Sequence, residues 1–361
     1  MTTMDVVVIG GGQAGLAAGF YLRRAGLEFV ILDAGSGPGG AWPYAWDTLR
    51  LFSPERHSSL PGWPMPRYRG DGYPDAAHVA AYLAAYEARY RLPVHRPVRV
   101  EAVRRDGDLL WVDTDTGTWR ARYVISATGT WWRPYVPSYP GRADFAGQQL
   151  HTVDYRNRGE FAGQRVAVVG GGNSAAQVLA DLTEPGGAAY AVWITRRPPR
   201  FLPDDVDGAA LFDIATRRHL AVALGEPDPG GVGELGDIVM VPPVKRARDR
   251  GVPHAEPIFA RLTEGGLTWP DDTHLGVDAI IWCTGFRPAL THLAPLHLRD
   301  TNGTIPTHGT RADAEPRLHL LGYGDWTGPA SATLIGVGRT ARAAVTEITD
   351  GLRTANRTAS A

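Results

Sequence analysis

Apolar β-branched residues run without a break through Val6-Val7-Val8-Ile9, with none of the alternation a half-solvated strand would show. Such a run predicts a short strand buried on both faces, as in a parallel sheet. It meets Gly10-Gly11-Gly12-Gln13-Ala14-Gly15, after which apolar positions take a helical spacing from about Gln13 to Ala25, with Gly26 as the stop. A second buried strand, Phe29-Val30-Ile31-Leu32, ends at Asp33. The same order returns later. Arg165-Val166-Ala167-Val168-Val169 leads into Gly170-Gly171-Gly172-Asn173-Ser174-Ala175, then a helix to about Leu182. The strand after it, Tyr190 to Ile194, ends not in an acid but in Thr195-Arg196-Arg197.

Between the two units the pattern predicts a helix from about Asp75 to Tyr90, with Asp75 as N-cap, and two or three strands across Val98 to Val124. A strand ending in Thr-Gly closes each unit: Ile125-Ser126-Ala127-Thr128-Gly129 and Ile280-Ile281-Trp282-Cys283-Thr284-Gly285. This reads as a repeated architecture, one module per nucleotide. A strand at Arg317 to Leu321, then Gly322-Tyr323-Gly324-Asp325, precedes a long helical pattern from about Ala330 to Gly351, with fraying expected after Leu352. The Pro- and Gly-rich stretch Pro198 to Pro257, including Leu235-Gly236-Asp237 and Pro242-Pro243, reads as loop-rich. The expected fold is α/β, with two Rossmann-like dinucleotide-binding domains. Residues 1–154 and 286–361 form the first, and residues 155–285 are inserted as the second.

Each part of the glycine turn has a physical task. Gly10 permits the tight turn, Gly12 removes a side chain where a pyrophosphate approaches, and Gly15 lets helix and strand pack closely. The helix N-terminus, from Gln13, offers free N–H groups and a positive dipole. Asp33 stands where a carboxylate accepts the hydroxyls of a ribose. In the second unit Gly170, Gly172, Asn173 and Ser174 occupy the corresponding places. There a carboxylate would repel a 2′-phosphate, whereas Arg196 or Arg197 would bind it. The first site therefore reads as taking a free ribose and the second as preferring NADPH. The competing reading of the two arginines is a solvated loop.

Composition narrows the class. A chain of 361 residues with 43% hydrophobic residues suits two globular domains, and a formal charge of −1 gives no general attraction to nucleic acid or membrane. Cys283 is the only cysteine, so a redox-active cysteine pair is excluded, and it reads as a small buried hydrophobe. No apolar run reaches the roughly 20 residues of a membrane span. Met1 to Ile9 lacks a basic signal region, so a cytoplasmic protein is expected. A homodimer stays open.

Two nucleotide folds with Thr-Gly closures and a late Gly-Asp resemble the flavoproteins with two dinucleotide-binding domains, in which the first fold holds FAD and the second NAD(P)H. Phe145-Ala146-Gly147-Gln148-Gln149-Leu150-His151-Thr152-Val153-Asp154-Tyr155 resembles the fingerprint of the flavin-containing monooxygenases, F-x-G-x-x-x-H-x-x-x-F/Y. Gly39-Gly40-Ala41-Trp42 is similar to their flavin-contacting GG-x-W, and Tyr73-Pro74 with Tyr82-Leu83 to their FP…YL phrase. Leu49 to Pro54, Leu60 to Pro66 and Gly322 to Thr327 look most like the short bacterial members encoded in arsenic-resistance operons.

The resemblance implies FAD contacts at Gly10, Gly12, Gln13, Gly15, Asp33, Gly40, Trp42, Thr128, Gly129 and Asp325. For NADPH it implies Gly170, Gly172, Asn173, Ser174, Arg196, Arg197 and His151. It further implies hydride transfer from NADPH to FAD, then O2 activation at flavin C4a to oxygenate a small soft nucleophile such as sulfur, nitrogen or trivalent arsenic. The helix from about Ala330 would stabilise the charge of the reduced flavin, and Asp325 would hold the ribityl chain. Trp42, Trp46, Phe52, Trp63 and Trp326 are candidate walls of an apolar pocket; Phe52, Ser53 and Trp326 are the pocket candidates, and no catalytic residue is assigned. The chain departs from larger family members where they carry Thr-Asn near the flavin. Leu51 and Phe52 stand there, with Ser53 beside them. That departure supports a rival reading, an NADPH oxidase or electron-transfer reductase; a non-enzymatic nucleotide sensor is a second rival.

Overall fold

The structure is a computed structural model that describes residues 3–227, 237–252 and 254–359. The first sheet takes β1 (Thr3–Ile9), β2 (Phe29–Leu32), β3 (Val94–His95), β4 (Val100–Asp106), β5 (Leu109–Thr114) and β6 (Gly117–Ser126). The second sheet takes β7 (Gln148–His151), β8 (Arg165–Val169), β9 (Tyr190–Thr195) and β10 (Ala255–Pro257). After a small antiparallel sheet of β11 (Arg261–Thr263), β12 (Gly266–Thr268) and β13 (His274–Gly276), the chain completes the second sheet with β14 (Ala279–Trp282). It then returns to the first with β15 (Thr307–His308), β16 (Arg311–Ala312) and β17 (Glu315–Leu320).

The central order of the first sheet is β17-β6-β1-β2-β3, all parallel, and that of the second is β10-β9-β8-β14-β7, also all parallel. Val6, Val7 and Val8 are fully buried, as a strand covered on both faces requires. β7 is an edge strand of the second sheet, so that sheet begins before residue 155.

The helices are α1 (Gln13–Ala25), α2 (Ala76–Tyr90), α3 (Asn173–Leu182), α4 (Gly208–Ala223), α5 (Pro242–Asp249) and α6 (Val337–Ala359). α1 stops at Gly26 in the left-handed region, and Asp75 caps α2 by accepting from the His78 N–H at 2.8 Å.

Three expectations are corrected. The last helix starts at Val337, not near Ala330. Ala330 sits at φ +59°, in a run of turns from Gly328 to Gly336 that cannot join the helix. Nor does it fray after Leu352: it runs to Ala359, and Arg122 of β6 donates to Asn356 near its end. The stretch Pro198 to Pro257, read as loop, contains α4 and α5. Pro242-Pro243 opens α5, because proline at the first helical turn costs no hydrogen bond. Leu235 and Gly236 lie outside the described residues. No described helix is long and apolar enough to cross a membrane, and no cluster of metal-ligating side chains occurs among the described residues.

Candidate functional site

At the first glycine turn the three glycines separate by task. Gly10 has φ +105°, and a β-carbon there would lie 2.6 Å from the Ala127 carbonyl. One at Gly15 would lie 1.9 Å from the Gly10 carbonyl. Both positions are demanded by the protein's own packing. Gly12 is different: the nearest atom to its β-carbon position is the Gly40 Cα at 3.7 Å, an ordinary van der Waals contact, so the protein itself would tolerate a methyl group there. Gly12 is also the N-cap of α1 and supplies no side chain to the first amides. An open cradle of unsatisfied N–H groups fits a pyrophosphate, and the residues present therefore fit FAD.

Gly40 closes one side of the cradle. It packs so tightly on Gly12 that a β-carbon would meet the Gly12 Cα at 2.7 Å. From the same turn, Trp42 Nε1 donates to Gln13 Oε1 at 3.1 Å, and Gln13 Nε2 donates to the Ala332 carbonyl at 2.7 Å. Gln13 thus ties the first turn of α1 to Trp42 and to the approach of α6. Thr128 and Gly129 follow β6, with Thr128 Oγ1 donating to the Ala289 carbonyl at 2.8 Å and meeting the Tyr323 hydroxyl at 2.9 Å. Asp325 lies exposed in the turn after β17.

The second turn repeats the geometry. Gly170 has φ +149°, and its β-carbon would strike the Cys283 carbonyl at 2.2 Å; at Gly171 and Gly172 nothing lies within 4 Å. Gly172 caps α3 without a side chain, leaving the same kind of open cradle. Ser174 lies in the first turn of α3 and is partly exposed. Gly170 is bonded through its N–H to the Ile194 carbonyl, which sets the loop beside the end of β9. Arg196 and Arg197 follow directly, both exposed, with no side-chain hydrogen bond or ion pair among the described residues.

Asn173 is used differently from the expectation. Its Oδ1 accepts from the Val239 N–H at 2.8 Å and its Nδ2 donates to the Asp237 carbonyl at 3.0 Å, so the side chain anchors the segment leading to α5. His151 is buried and satisfied by backbone: Nε2 meets the Gly285 carbonyl at 3.0 Å and Nδ1 accepts from the Val153 N–H at 3.3 Å. Burial holds its pKa below the ordinary value. Tyr155, which ends the same phrase, is buried and donates to Asp181 at 2.6 Å, fastening the linker to α3. Burial pushes the Cys283 thiol up to about 12, so it is protonated and inert at neutral pH.

The five aromatic side chains do not gather into one pocket. Trp42 and Trp63 pack in the core around α1 and α2, Trp46 and Phe52 in that of the second sheet, and Trp326 against Tyr323 on the other face of the first sheet. The Phe52 carbonyl accepts from the Gly208 N–H at 2.6 Å, and Asp207 accepts from the Tyr73 hydroxyl at 3.2 Å, so the start of α4 docks on the Phe52 loop. Ser53 Oγ is engaged with Ser58 Oγ at 2.9 Å. Asp207 and Gly208 carry no local signal in the sequence, because their partners Tyr73 and Phe52 come from segments far apart in the chain. The same holds for Arg96, which pairs with Asp33 at 2.7 Å.

Two parallel sheets, each opening a helix with a glycine turn, form the frame of a flavin-dependent pyridine-nucleotide oxidoreductase. The family described as pyridine nucleotide-disulphide oxidoreductase matches residues 7–200, and a flavin-containing monooxygenase of Stenotrophomonas maltophilia is 51% identical, with a TM-score of 0.87 over 98% of this chain and 100% of that one. The chain belongs to this family, on its flavin monooxygenase branch, whose cofactors are FAD and NADPH. A double mutant of a flavin monooxygenase of Stenotrophomonas maltophilia is 53% identical, with a TM-score of 0.88 over 98% of this chain and 100% of that one. An oxidoreductase of Geobacillus kaustophilus described as CzcO-like is 28% identical over 96% of this chain and 98% of its own length. An indole-3-pyruvate monooxygenase of Oryza sativa subsp. japonica is 32% identical over 58% of this chain and 52% of its own. The single cysteine rules out a disulphide-reducing thiol pair.

Proposed function

We propose that this protein is an NADPH-dependent monooxygenase that oxygenates a small soft nucleophile. FAD would lie on the Gly10–Gly15 turn and NADPH on the Gly170–Ala175 turn, with residues 1–147 and 286–361 forming the FAD domain and residues 148–285 the NADPH domain, the boundary moved to take in β7, which pairs with β14. The observation that carries the nucleotide preference is the pair Arg196 and Arg197, exposed and without a side-chain hydrogen bond or ion pair among the described residues, beside a glycine turn with open space at Gly171 and Gly172. A guanidinium there recognises a 2′-phosphate, which NADH lacks.

The chemistry supplied by bound FAD is acceptance of a hydride from NADPH and activation of O2. The protein contributes position and exclusion of water. Gln13 holds Trp42 and the Ala332 carbonyl in one fixed arrangement at the α1 N-terminus. His151 acts through the Gly285 carbonyl, keeping the Thr-Gly turn after β14 against β7. The docking of Gly208 on Phe52 covers the loop next to the family's flavin contacts.

A second reading, an NADPH oxidase that passes electrons without transferring oxygen, is favoured by one observation. Phe52 has no amide to offer, and the Ser53 hydroxyl beside it is occupied by Ser58. Steady-state NADPH consumption, measured against peroxide release over a panel of sulfides, amines and arsenite, decides between them. Oxygenated product matching NADPH consumed supports the monooxygenase; peroxide equal to NADPH with every substrate rejects it.

A further inference from the structure

Asp33 does not stand alone at the end of β2. Arg96 Nε donates to Asp33 Oδ2 at 2.7 Å, and its two terminal nitrogens donate to the two carboxylate oxygens of Glu87 at 2.7 and 2.8 Å. The three side chains are 11%, 13% and 18% exposed for Arg96, Asp33 and Glu87. Glu87 comes from the last turn of α2, and Arg96 follows β3 directly, so three elements meet beneath the glycine turn. The contact with the turn is close: a β-carbon on Gly11 would lie 2.7 Å from Asp33 Oδ2 and 2.9 Å from Arg96 Nη2. The backbone of the nucleotide loop therefore rests on the ion pair itself.

Two carboxylates sharing one guanidinium leave a net charge of −1 in a largely buried place. Burying charge is costly unless its acceptors are filled. Arg96 fills both oxygens of Glu87 and one of Asp33. The acceptor left over is Asp33 Oδ1, whose one bond is a long 3.3 Å contact from the Gly35 N–H. Hydroxyl donors would complete it, whereas a phosphate would add like charge to a site that is already negative.

We propose that Arg96 is a positioning residue of the first nucleotide site. With its fork held by Glu87, its Nε–H turns Asp33 so that Oδ1 is presented to the adenosine ribose of FAD, and the residual negative charge of the triad restricts that site to an unphosphorylated ribose. The inference rests on the reading of the first turn as the FAD site. Arg96 acts through Asp33, so its effect is on the choice of ribose and not merely on folding.

The test compares FAD with its 2′-deoxyadenosine analogue, each titrated into flavin-stripped full-length protein and followed by flavin fluorescence. The wild-type protein is expected to bind FAD about tenfold more tightly than the deoxy analogue, the size of a charged hydrogen bond. Arg96→Met is expected to bind FAD about tenfold more weakly, and to bind the two flavins equally. Arg96→Lys keeps the charge but cannot hold Glu87 by two bonds while donating to Asp33 Oδ2, and is expected to lose most of the preference. A wild-type protein without the preference overturns the proposal, as does either variant that keeps the full preference. Where Arg96→Met does not fold, Arg96→Lys carries the test. A wild-type protein that binds neither flavin would instead sink the FAD reading.

Discussion

Trp42 and Gln13 are joined side chain to side chain, the indole N–H donating to the amide oxygen at 3.1 Å, while the same amide donates onward to the Ala332 carbonyl. One glutamine therefore couples the turn after Gly40, the start of α1 and the approach of α6. Gln13→Ala breaks both bonds at once while leaving the helix propensity favourable. The expected outcome is a folded protein that loses FAD about tenfold more readily, measured by flavin release on dilution, with a small loss of melting temperature.

The two interior glycines of the first turn should fail in different ways. Gly15→Ala places a methyl group 1.9 Å from the Gly10 carbonyl and forces α1 off β1, so little soluble protein is expected. Gly12→Ala meets nothing nearer than 3.7 Å, so the chain should fold and circular dichroism should match wild type. Its defect should appear as colourless protein, because the methyl group fills the pyrophosphate space. A yellow Gly12→Ala protein of normal FAD affinity would contradict the cradle.

Arg196→Ala and Arg197→Ala test the second site. Their exposure and the absence of a side-chain hydrogen bond or ion pair among the described residues make a stability change of more than about 0.5 kcal/mol unexpected. The KM for NADPH should rise at least about tenfold for one of them, with KM for NADH nearly unchanged, since only the 2′-phosphate bond is lost. Equal losses for both nucleotides would remove the argument.

Two buried histidines set an acid limit. Burial holds both His292 and His319 down to about 4, against an unfolded value of 6.5. His319 Nε2 is buried without a hydrogen-bond partner, and His292 Nε2 meets Ser126 Oγ at 3.1 Å. The unfolded chain therefore binds more protons than the native one between these values. Stability contributed by the neutral imidazoles is complete above about pH 6.5 and is lost as the pH falls toward 4, by about 1.4 kcal/mol per pH unit for each group at most. Urea midpoints measured from pH 7.5 to 4.5 should fall along this slope, and His319→Phe should remove part of it.

Most of the frame was legible in the chain itself. Uninterrupted β-branched runs, glycines at fixed offsets and helical spacing are local signals, so β1, α1, β2 and their counterparts β8, α3 and β9 were placed closely. The Asp75 cap and the Gly26 stop were legible for the same reason. The stretch holding α4 and α5 has a loop-like pattern because Pro and Gly are usually breakers, yet Pro242 starts a helix. The last helix was begun too early, since an apolar pattern does not reveal that Ala330 takes a positive φ or that Gly336 must sit against the Ala330 carbonyl.

Residue order alone locates two nucleotide turns and the charges that end their second strands, because those features depend on residues a few positions apart. What each side chain is free to do follows from the folded arrangement. Arg96 and Glu87 were invisible beside Asp33 until β3 and α2 closed beneath the turn. Asn173 and His151 are consumed by backbone, and the tryptophans are divided among separate cores. Hydrogen-bond valence and burial are settled by neighbours that folding brings from distant parts of the chain, and no local pattern encodes them.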